Sequence, residues 1–138
     1  MIEQIKSVEA FHKAMGLTVN EFPTFKVSNQ DGELRDKLMK EELDEAVVEM
    51  ETPVSLPNLT KELADLLVVT FGTIVTYGLQ DVIVPVFEEI MRANMSKLDE
   101  NGKPVINGQN GVLDESRPLG KVLKSSRYVP ADVSKIFE

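Results

Sequence analysis

The sequence predicts an all-α protein, a bundle of four to five helices followed by an irregular C-terminal tail or small hairpin. Apolar residues recur at helical spacing in four segments of roughly the first 98 residues, and prolines and glycines separate these segments. The remaining residues, about 99–138, are rich in Gly, Asn, Pro and Ser and carry only short β-branched pieces. Helices of this kind bury their apolar stripes against one another, as in a helix bundle.

The first two helices are delimited by their apolar spacing. Residues 2–15 carry apolar side chains three or four positions apart, and Gly16 follows as a stop signal. Residues 17–32 are expected to form a connecting loop, because turn-forming residues are frequent there. A second helix is predicted from about Glu33 to Glu51. Its predicted buried stripe consists of Leu34, Leu38, Leu43, Val47 and Met50.

Two further helices follow a break at "TPVSLPN", whose prolines end the second helix. The third helix is expected to begin with Thr60 as its cap, or slightly earlier, and to stop near Gly78. Asp81 is predicted to cap a fourth helix that reaches about Leu98. Pro85 then falls in the first turn, where its missing N–H costs little.

The composition narrows the class of protein. A chain of 138 residues is expected to form one domain, residues 1–138, whose glycine-rich tail from about residue 99 is a candidate lid. The absence of cysteine and of a recognisable signal peptide predicts a cytoplasmic protein. The longest apolar run, residues 66–79, is too short to cross a membrane. The net charge of -8 argues against binding to a nucleic-acid polymer.

Two clusters of acids on consecutive helices are the most informative feature. Glu41, Glu42 and Glu45 adjoin on one helix surface, and Glu62 and Asp65 are three apart on the next. If the two helices pack antiparallel, the five carboxylates converge and raise one another's pKa. A divalent cation is the simplest counter-charge, and an all-oxygen ligand set suits Mg²⁺, Mn²⁺ or Ca²⁺ rather than Zn²⁺.

The alternative interpretation is a solvated acidic helix whose partners are Lys37, Lys40 and Lys61. Two clusters on consecutive helices, both set among apolar residues, favour the metal interpretation, because such acids tend to face inward. Asp44 and Glu49 are expected to be surface acids.

The spacing "EELDE" followed by "ELAD" resembles the EExxE…ExxD signature of the all-α nucleoside triphosphate pyrophosphatases. That superfamily includes MazG, phosphoribosyl-ATP pyrophosphohydrolase and the dimeric dUTPases. The later segments "EEIMRANMSKLDENGKP" and "GKVLKSSRYVPAD" are similar to motifs of the Cof-like MazG subgroup, so the resemblance covers most of the chain. The intervening "VINGQNGVLDESRPL" is longer than the usual link between those motifs.

The resemblance implies hydrolysis of an NTP or dNTP to the monophosphate and pyrophosphate, in the service of nucleotide-pool house-cleaning. It implies that the five acids hold Mg²⁺, for which Mn²⁺ is a possible substitute, and that Glu42 or Glu45 accepts the proton of the attacking water. Lys97, Lys124 and Tyr128 match the subgroup's later motifs and are predicted to contact the phosphates.

Position alone indicates two more substrate-binding residues. Arg35 lies one to two turns before the acid cluster, and Asn94 interrupts apolar neighbours on the fourth helix. An amide can both donate to and accept from the edge of a base or sugar. His12, the only histidine, is expected to be a surface or packing residue. A homodimer or homotetramer is expected, because four short helices rarely complete their own core and the family's sites lie near subunit interfaces.

The sequence disfavours two other classes of protein and leaves a third as the alternative. A di-iron bundle needs Glu-x-x-His pairs on two helices, whereas this chain has a single histidine. A calcium-binding loop needs alternating acids around a central glycine, which "NQDGELRDKLMKEE" does not provide. A non-catalytic nucleotide- or metal-binding interaction module stays as the alternative function. It would not need both acid motifs intact, and both are intact.

Overall fold

The computed structural model describes residues 1–138 and confirms the all-α prediction. The four α-helices are α1 (Ile2–Met15), α2 (Asn29–Glu51), α3 (Leu56–Thr76) and α4 (Ile83–Met95). Two short strands, β1 (Val105–Ile106) and β2 (Val122–Leu123), and a 3₁₀ turn at Ser134–Ile136 follow. The chain divides into two compact units, Met1–Ile83 and Val84–Glu138. The single domain expected from the sequence stays a prediction.

Helix α2 begins four residues earlier than the sequence predicts. Residues 29–32, expected in the loop, form its first turn because the Ser28 hydroxyl accepts a hydrogen bond from the Asp31 N–H at 3.1 Å. The Asp31 carboxylate in turn accepts from the hydroxyls of Thr18 and Ser28, each at 2.8 Å. A satisfied N-cap of this kind outweighs the turn preference of asparagine and glycine.

Helix α3 begins at the earlier of the two predicted positions. The Ser55 hydroxyl, and not that of Thr60, caps it by accepting from the Asn58 N–H at 3.3 Å. The helix ends at Thr76, and Gly78 then adopts φ 69°. A Cβ at Gly78 would lie 2.0 Å from the Phe22 carbonyl oxygen, so this turn requires glycine.

Helix α4 is shorter than predicted at its C-terminal end. The N–H groups of Val82 and Ile83 donate to the Leu79 carbonyl in the turn before the helix, so the predicted cap Asp81 does not adjoin the first turn. The helix stops at Met95 instead of Leu98, because the Ser96 hydroxyl donates to Ala93 O at 2.7 Å and the chain turns there.

The interior of the first unit lies where α3 packs against α1 and α2. Its buried apolar residues are Ile5, Val8, Ala46, Ile74 and Val75. The stripe predicted on α2 is only partly covered: Leu34, Leu43 and Met50 are 38%, 48% and 54% exposed. The buried residues of α2 are Arg35 and Ala46 instead. Apolar surface on α2 therefore stays uncovered within one chain.

In the second unit, β1 and β2 form the small antiparallel hairpin that the sequence predicts, with Val105 opposite Leu123. The C-terminal segment binds to α4 through backbone and side-chain hydrogen bonds, including Val129 N–H to the Ser96 hydroxyl at 2.9 Å. No helix of the structure combines the length and apolar character that a membrane crossing requires.

Candidate functional site

Three carboxylates meet on the hairpin formed by α2 and α3. Only residues 52–55 connect these helices, and the approach of residue 42 to residues 62 and 65 shows that they run antiparallel. One carboxylate oxygen each from Glu42, Glu62 and Asp65 lies within 4.8 Å of the other two. All three residues are half-buried. The helical spacing of three between Glu62 and Asp65 places both on the face that meets α2.

The two other predicted acids flank this group. The Glu45 carboxyl shares a hydrogen bond with the Glu62 carboxyl, and this bond, with the negative charge of Glu42, raises the pKa of Glu45. Burial, followed by the charge of Asp65, raises the pKa of Glu42. Glu41 is exposed and lies outside the group of three, although its charge adds to both shifts.

One lysine already neutralises part of the cluster. Lys61 Nζ lies 3.1 Å from Glu62 Oε1 and 2.8 Å from Asp65 Oδ2, and these hydrogen bonds raise the pKa of Lys61. Lys40, another expected partner, binds Asp36 instead at 2.8 Å. One ammonium group therefore pairs with two of four carboxyl groups. The negative charge that remains adds to the burial that raises the pKa of Glu42 and to the Glu62 hydrogen bond that raises the pKa of Glu45.

The donor set fits a hard, oxygen-preferring cation. Oxygens on opposite sides of a six-coordinate ion are about 4.2 Å apart for Mg²⁺ and about 4.8 Å apart for Ca²⁺, at twice the usual bond length. The three carboxylate oxygens lie within 4.8 Å of one another, so small side-chain movements bring them to either ion. The group contains no histidine, and the chain has no cysteine, so the set does not resemble a zinc site.

Glu49 corrects a prediction from the sequence. It was expected to be a surface acid, but it is half-buried, and its Oε2 is inaccessible to solvent and has no hydrogen-bond partner. The spacing along α2 already indicated that Glu49 is buried. Ala46 lies four residues after Glu42 and three before Glu49, so the three share one helix face. Ala46 is fully buried on that face.

The structure places Arg35 in the interior of the first unit. The side chain is 7% exposed, and its Nη1 lies 3.4 Å from Nε2 of His12, which is itself 2% exposed. His12 Nδ1 lies 3.1 Å from the Thr18 carbonyl, which identifies it as the donor and leaves Nε2 to accept from Arg35. Burial lowers the pKa of Arg35. Arg35 and His12 thus join α1 to α2, and the phosphate contact of Arg35 stays a prediction.

The remaining predicted substrate residues lie in the second unit and form two pairs. Lys97 Nζ donates to Asn94 Oδ1 at 2.7 Å. Lys124 Nζ lies 4.6 Å from the centre of the Tyr128 ring, a cation–π contact. Lys97 and Lys124 also line one cavity, together with Arg117 and Lys121, which sequence reasoning did not single out. Arg117 lies in the unusually long link and carried no sequence signal, whereas Lys121 lies in the quoted segment "GKVLKSSRYVPAD", from which only Lys124 and Tyr128 were assigned a role.

A comparison with protein families identifies the chain. The sequence profile described as PRA-PH, phosphoribosyl-ATP pyrophosphohydrolase, matches residues 8–94, which is more than half of the chain. The matched region contains all five predicted metal ligands and ends at Asn94. A search of curated proteins gave no significant match. The chain belongs to the phosphoribosyl-ATP pyrophosphohydrolase family, within the all-α nucleoside triphosphate pyrophosphatase superfamily that also holds MazG-like proteins.

Proposed function

We propose that the protein is a Mg²⁺-dependent pyrophosphohydrolase that converts an NTP or dNTP and water into the monophosphate and pyrophosphate. The observation that carries the proposal is the meeting of Glu42, Glu62 and Asp65 across the α2–α3 hairpin, in a chain of a pyrophosphohydrolase family. Removal of surplus or non-canonical nucleotides is the role that we infer for such an enzyme.

The residues proposed to hold the metal are the five acids of the hairpin. Glu42, Glu62 and Asp65 supply the central oxygens, and Glu41 and Glu45 flank them. When bound, Mg²⁺ or its substitute Mn²⁺ offsets phosphate charge and lowers the pKa of a coordinated water. Lys61, which now bonds Glu62 and Asp65, has a flexible side chain that can move aside as the cation enters.

Glu45 is the proposed general base, and Glu42 is the second candidate. A carboxylate with a raised pKa accepts a proton more readily near neutral pH than an ordinary glutamate does. In the proposed reaction the water oxygen forms a bond to phosphorus while a phosphoanhydride P–O bond breaks. The leaving group carries away the electrons of that bond: it is pyrophosphate if water attacks the α-phosphorus and the monophosphate if water attacks the β-phosphorus. The proton of the water passes to the glutamate carboxylate.

Substrate binding is assigned to the predicted polar residues of the second unit. Lys97, Lys124 and Tyr128 are proposed to contact the phosphates, and Asn94 a base or sugar edge. Arg35 is buried in the interior of the first unit. We therefore propose that it stabilises the α2–α3 hairpin and contacts phosphate only if the site opens. The family name adds phosphoribosyl-ATP to the substrates to be tested.

The test is pyrophosphate release from a panel of canonical and modified NTPs and dNTPs and from phosphoribosyl-ATP, with Mg²⁺ and with EDTA. We expect release with Mg²⁺ only, and a loss of at least about 100-fold in Glu45→Gln. Asp44→Asn is the matched control, because Asp44 is an exposed acid on the same helix. Reaction in ¹⁸O-labelled water then identifies the attacked phosphorus, since the label enters either the monophosphate or pyrophosphate.

The alternative is a non-catalytic nucleotide- or metal-binding module. The observation that favours it is Lys61, which partly neutralises the carboxylates without any metal. The folded protein could bind Mg²⁺ in a calorimetric titration and yet release pyrophosphate from none of the nucleotides. That result would exclude the enzyme and support this module. The enzyme requires a nucleotide ligand, whereas the module binds a nucleotide or a metal. For both we propose no nucleic-acid polymer, no membrane, and a homodimer or homotetramer.

A further inference from the structure

We propose that the long link between β1 and β2 builds a polyphosphate-binding cavity in the second unit, in which Arg117 and Lys121 act together with Lys97 and Lys124. The ligand class is a pyrophosphate or triphosphate group, either as part of a nucleotide or free. The identity of the nucleotide rests on the proposed function, whereas the binding of a polyphosphate does not.

The cavity has the size and lining of an anion site. Its volume is about 430 Å³, and seven residues line it: Lys97, Asp114, Arg117, Lys121, Val122, Leu123 and Lys124. Four of these carry a positive charge and one carries a negative charge. The larger cavity of this unit, about 500 Å³, is a poor phosphate site because Glu88, Glu89 and Asp132 line it with a single lysine.

The four cations are free to bind an anion. None of the ion pairs in the structure involves any of them. Lys97 donates only to the neutral amide of Asn94, and Lys124 lies over the Tyr128 ring. The carboxylate of Asp114 is already engaged by the Ser116 hydroxyl at 2.6 Å and the Ser116 N–H at 2.9 Å, which lower its pKa. Only Asp114 Oδ1 accepts these bonds, and the charge of Arg117 also lowers the pKa of Asp114. One carboxylate therefore offsets only part of the charge of the four cations in the cavity.

Asn107 holds the link in the shape that forms this cavity. The side chain is 1% exposed, and its Nδ2 donates to the carbonyls of Asp114, Arg117 and Pro118 at 2.9 to 3.1 Å. Its Oδ1 accepts from the Asp114 N–H at 2.7 Å, and its backbone N–H donates to Lys121 O at 2.9 Å. The buried side-chain amide of Asn107 thus fixes Arg117 by its carbonyl, and the Asn107 backbone N–H fixes Lys121.

The chemistry of these groups selects a polyphosphate. A guanidinium binds two phosphate oxygens at once, and three ammonium groups around one cavity match a ligand with several adjacent anionic oxygens. A nucleic-acid polymer is a poor candidate for a chain with a net charge of -8. The cavity residues all lie beyond the family match, which ends at residue 94. Lys97, Lys121 and Lys124 lie in segments similar to the subgroup's later motifs, whereas Arg117 lies in the long link and is the cation that this link adds.

The test is calorimetric binding of inorganic pyrophosphate and triphosphate to the full chain in EDTA at low salt. We expect binding that weakens with salt, and a loss of about 5- to 30-fold in Arg117→Gln and in Lys121→Gln. Lys103→Gln is the matched control, because Lys103 is exposed in the same unit and lines none of the cavities described above. Asn107→Ala should weaken binding as well, by releasing the link.

The outcomes separate this proposal from the proposed function. The proposed polyphosphate site is overturned if Arg117→Gln and Lys121→Gln both bind pyrophosphate as tightly as the wild type does. It is also overturned if the wild type binds no pyrophosphate at millimolar concentration, even if nucleotides are hydrolysed. Weakened binding in both variants but not in Lys103→Gln supports the cavity even if no nucleotide is hydrolysed. A nucleoside triphosphate with a methylene bridge between its α- and β-phosphorus atoms shows whether the polyphosphate that binds in the cavity belongs to a nucleotide or is free. Its affinity falls in Arg117→Gln if the nucleotide uses the cavity, and stays unchanged if only free polyphosphate does.

Discussion

At Glu42 and Glu45, the negative charge that suits a cation also opposes folding. Their pKa values are raised in the folded chain, so folding favours the protonated carboxyl and disfavours the ionised one. In the unfolded chain the pKa of each glutamate is near 4.5, and below that pH the protonated carboxyl contributes its full stabilisation to the fold. This stabilisation is lost as the pH rises through the higher pKa of the folded chain. At pH 8 the metal-free protein therefore carries unrelieved repulsion among these groups.

We expect Glu42→Gln to melt higher than the wild type at pH 8 in EDTA, by no more than about 4 °C because solvent screens the charges. The difference should narrow toward pH 4, where the wild-type carboxyl is protonated. Mg²⁺ should raise the melting temperature of the wild type and not that of the variant. Differential scanning fluorimetry measures all three effects, and a variant that melts lower in EDTA at pH 8 would contradict this account.

At the level of elements, α3 approaches α1 and α2 closely because residue 72 has no side chain. A Cβ at Gly72 would lie 2.6 Å from Arg35 Nη1 and 2.8 Å from His12 Nε2. We expect Gly72→Ala to destabilise the fold by about 1–3 kcal/mol, since the rigid His12 ring has no room to yield. The matched control is Gly32→Ala on α2, where the added Cβ meets only the Tyr77 hydroxyl at 3.5 Å.

Gly32→Ala should instead stabilise the helix by about 0.5–1 kcal/mol, because alanine loses less backbone entropy on folding. Urea denaturation of the two variants checks the opposite signs. Equal effects would show that the contact between Gly72 and the Arg35–His12 pair does not limit the packing of these helices.

Glu89 is one of the side chains that hold the C-terminal segment on α4, beside Arg92 and the Ser96 hydroxyl that follows the helix. Glu89 accepts from Arg92 Nε at 2.7 Å and from the Asp132 N–H at 2.9 Å, and Arg92 donates to the Pro130 carbonyl. The Arg92 bond, followed by the Asp132 bond, lowers the pKa of Glu89 to about 2. The stabilisation is therefore present above the unfolded value of about 4.5 and is lost as pH falls toward 2.

We expect Glu89→Gln to increase hydrogen exchange several-fold at the amides of residues 129–136 at pH 7. The variant loses the charge that organises Arg92 and the Asp132 N–H. Glu88→Gln, which changes the exposed neighbouring acid, should leave exchange there unaltered. Protection that persists in Glu89→Gln would mean that packing alone retains the segment.

For the whole molecule, uncovered apolar surface favours association with a second copy. On α3, Leu63 and Leu67 are 43% and 54% exposed and lie four residues apart, and Leu43 on α2 is 48% exposed. Apolar residues at this spacing normally face another element. We expect light scattering to give two or four times the chain mass of 15.4 kDa.

The double variant Leu63→Lys with Leu67→Lys should shift the mass toward 15.4 kDa, because charge on the exposed stripe opposes burial. Met15→Lys is the control, since Met15 is an exposed apolar residue at the end of α1. If the wild-type protein is monomeric at micromolar concentration, the proposal of a homo-oligomer is wrong.

The sequence by itself determined the four helices, one of whose predicted consequences, given antiparallel packing, was the meeting of Glu42 with Glu62 and Asp65. It left the tail as either irregular or a small hairpin. The helices and this meeting follow from local rules, because helical spacing decides which residues share a face and a four-residue connection makes α2 and α3 antiparallel. Ser28 and Ser55, which cap α2 and α3, are of a residue type that is preferred at N-caps, but the helix starts were predicted at about Glu33 and at Thr60 or slightly earlier.

Only the tertiary structure decided which face of each helix is buried. It buried Arg35 against His12 and left Leu43 exposed, although charge and hydropathy suggested the reverse. It also brought Arg117 to the cavity of Lys97 and Lys124 through the buried Asn107 side-chain amide, which bonds residues up to 11 positions away, and Lys121 through the Asn107 backbone N–H. Spacing along one helix cannot specify such contacts, because they depend on which side chains the packing partner presents.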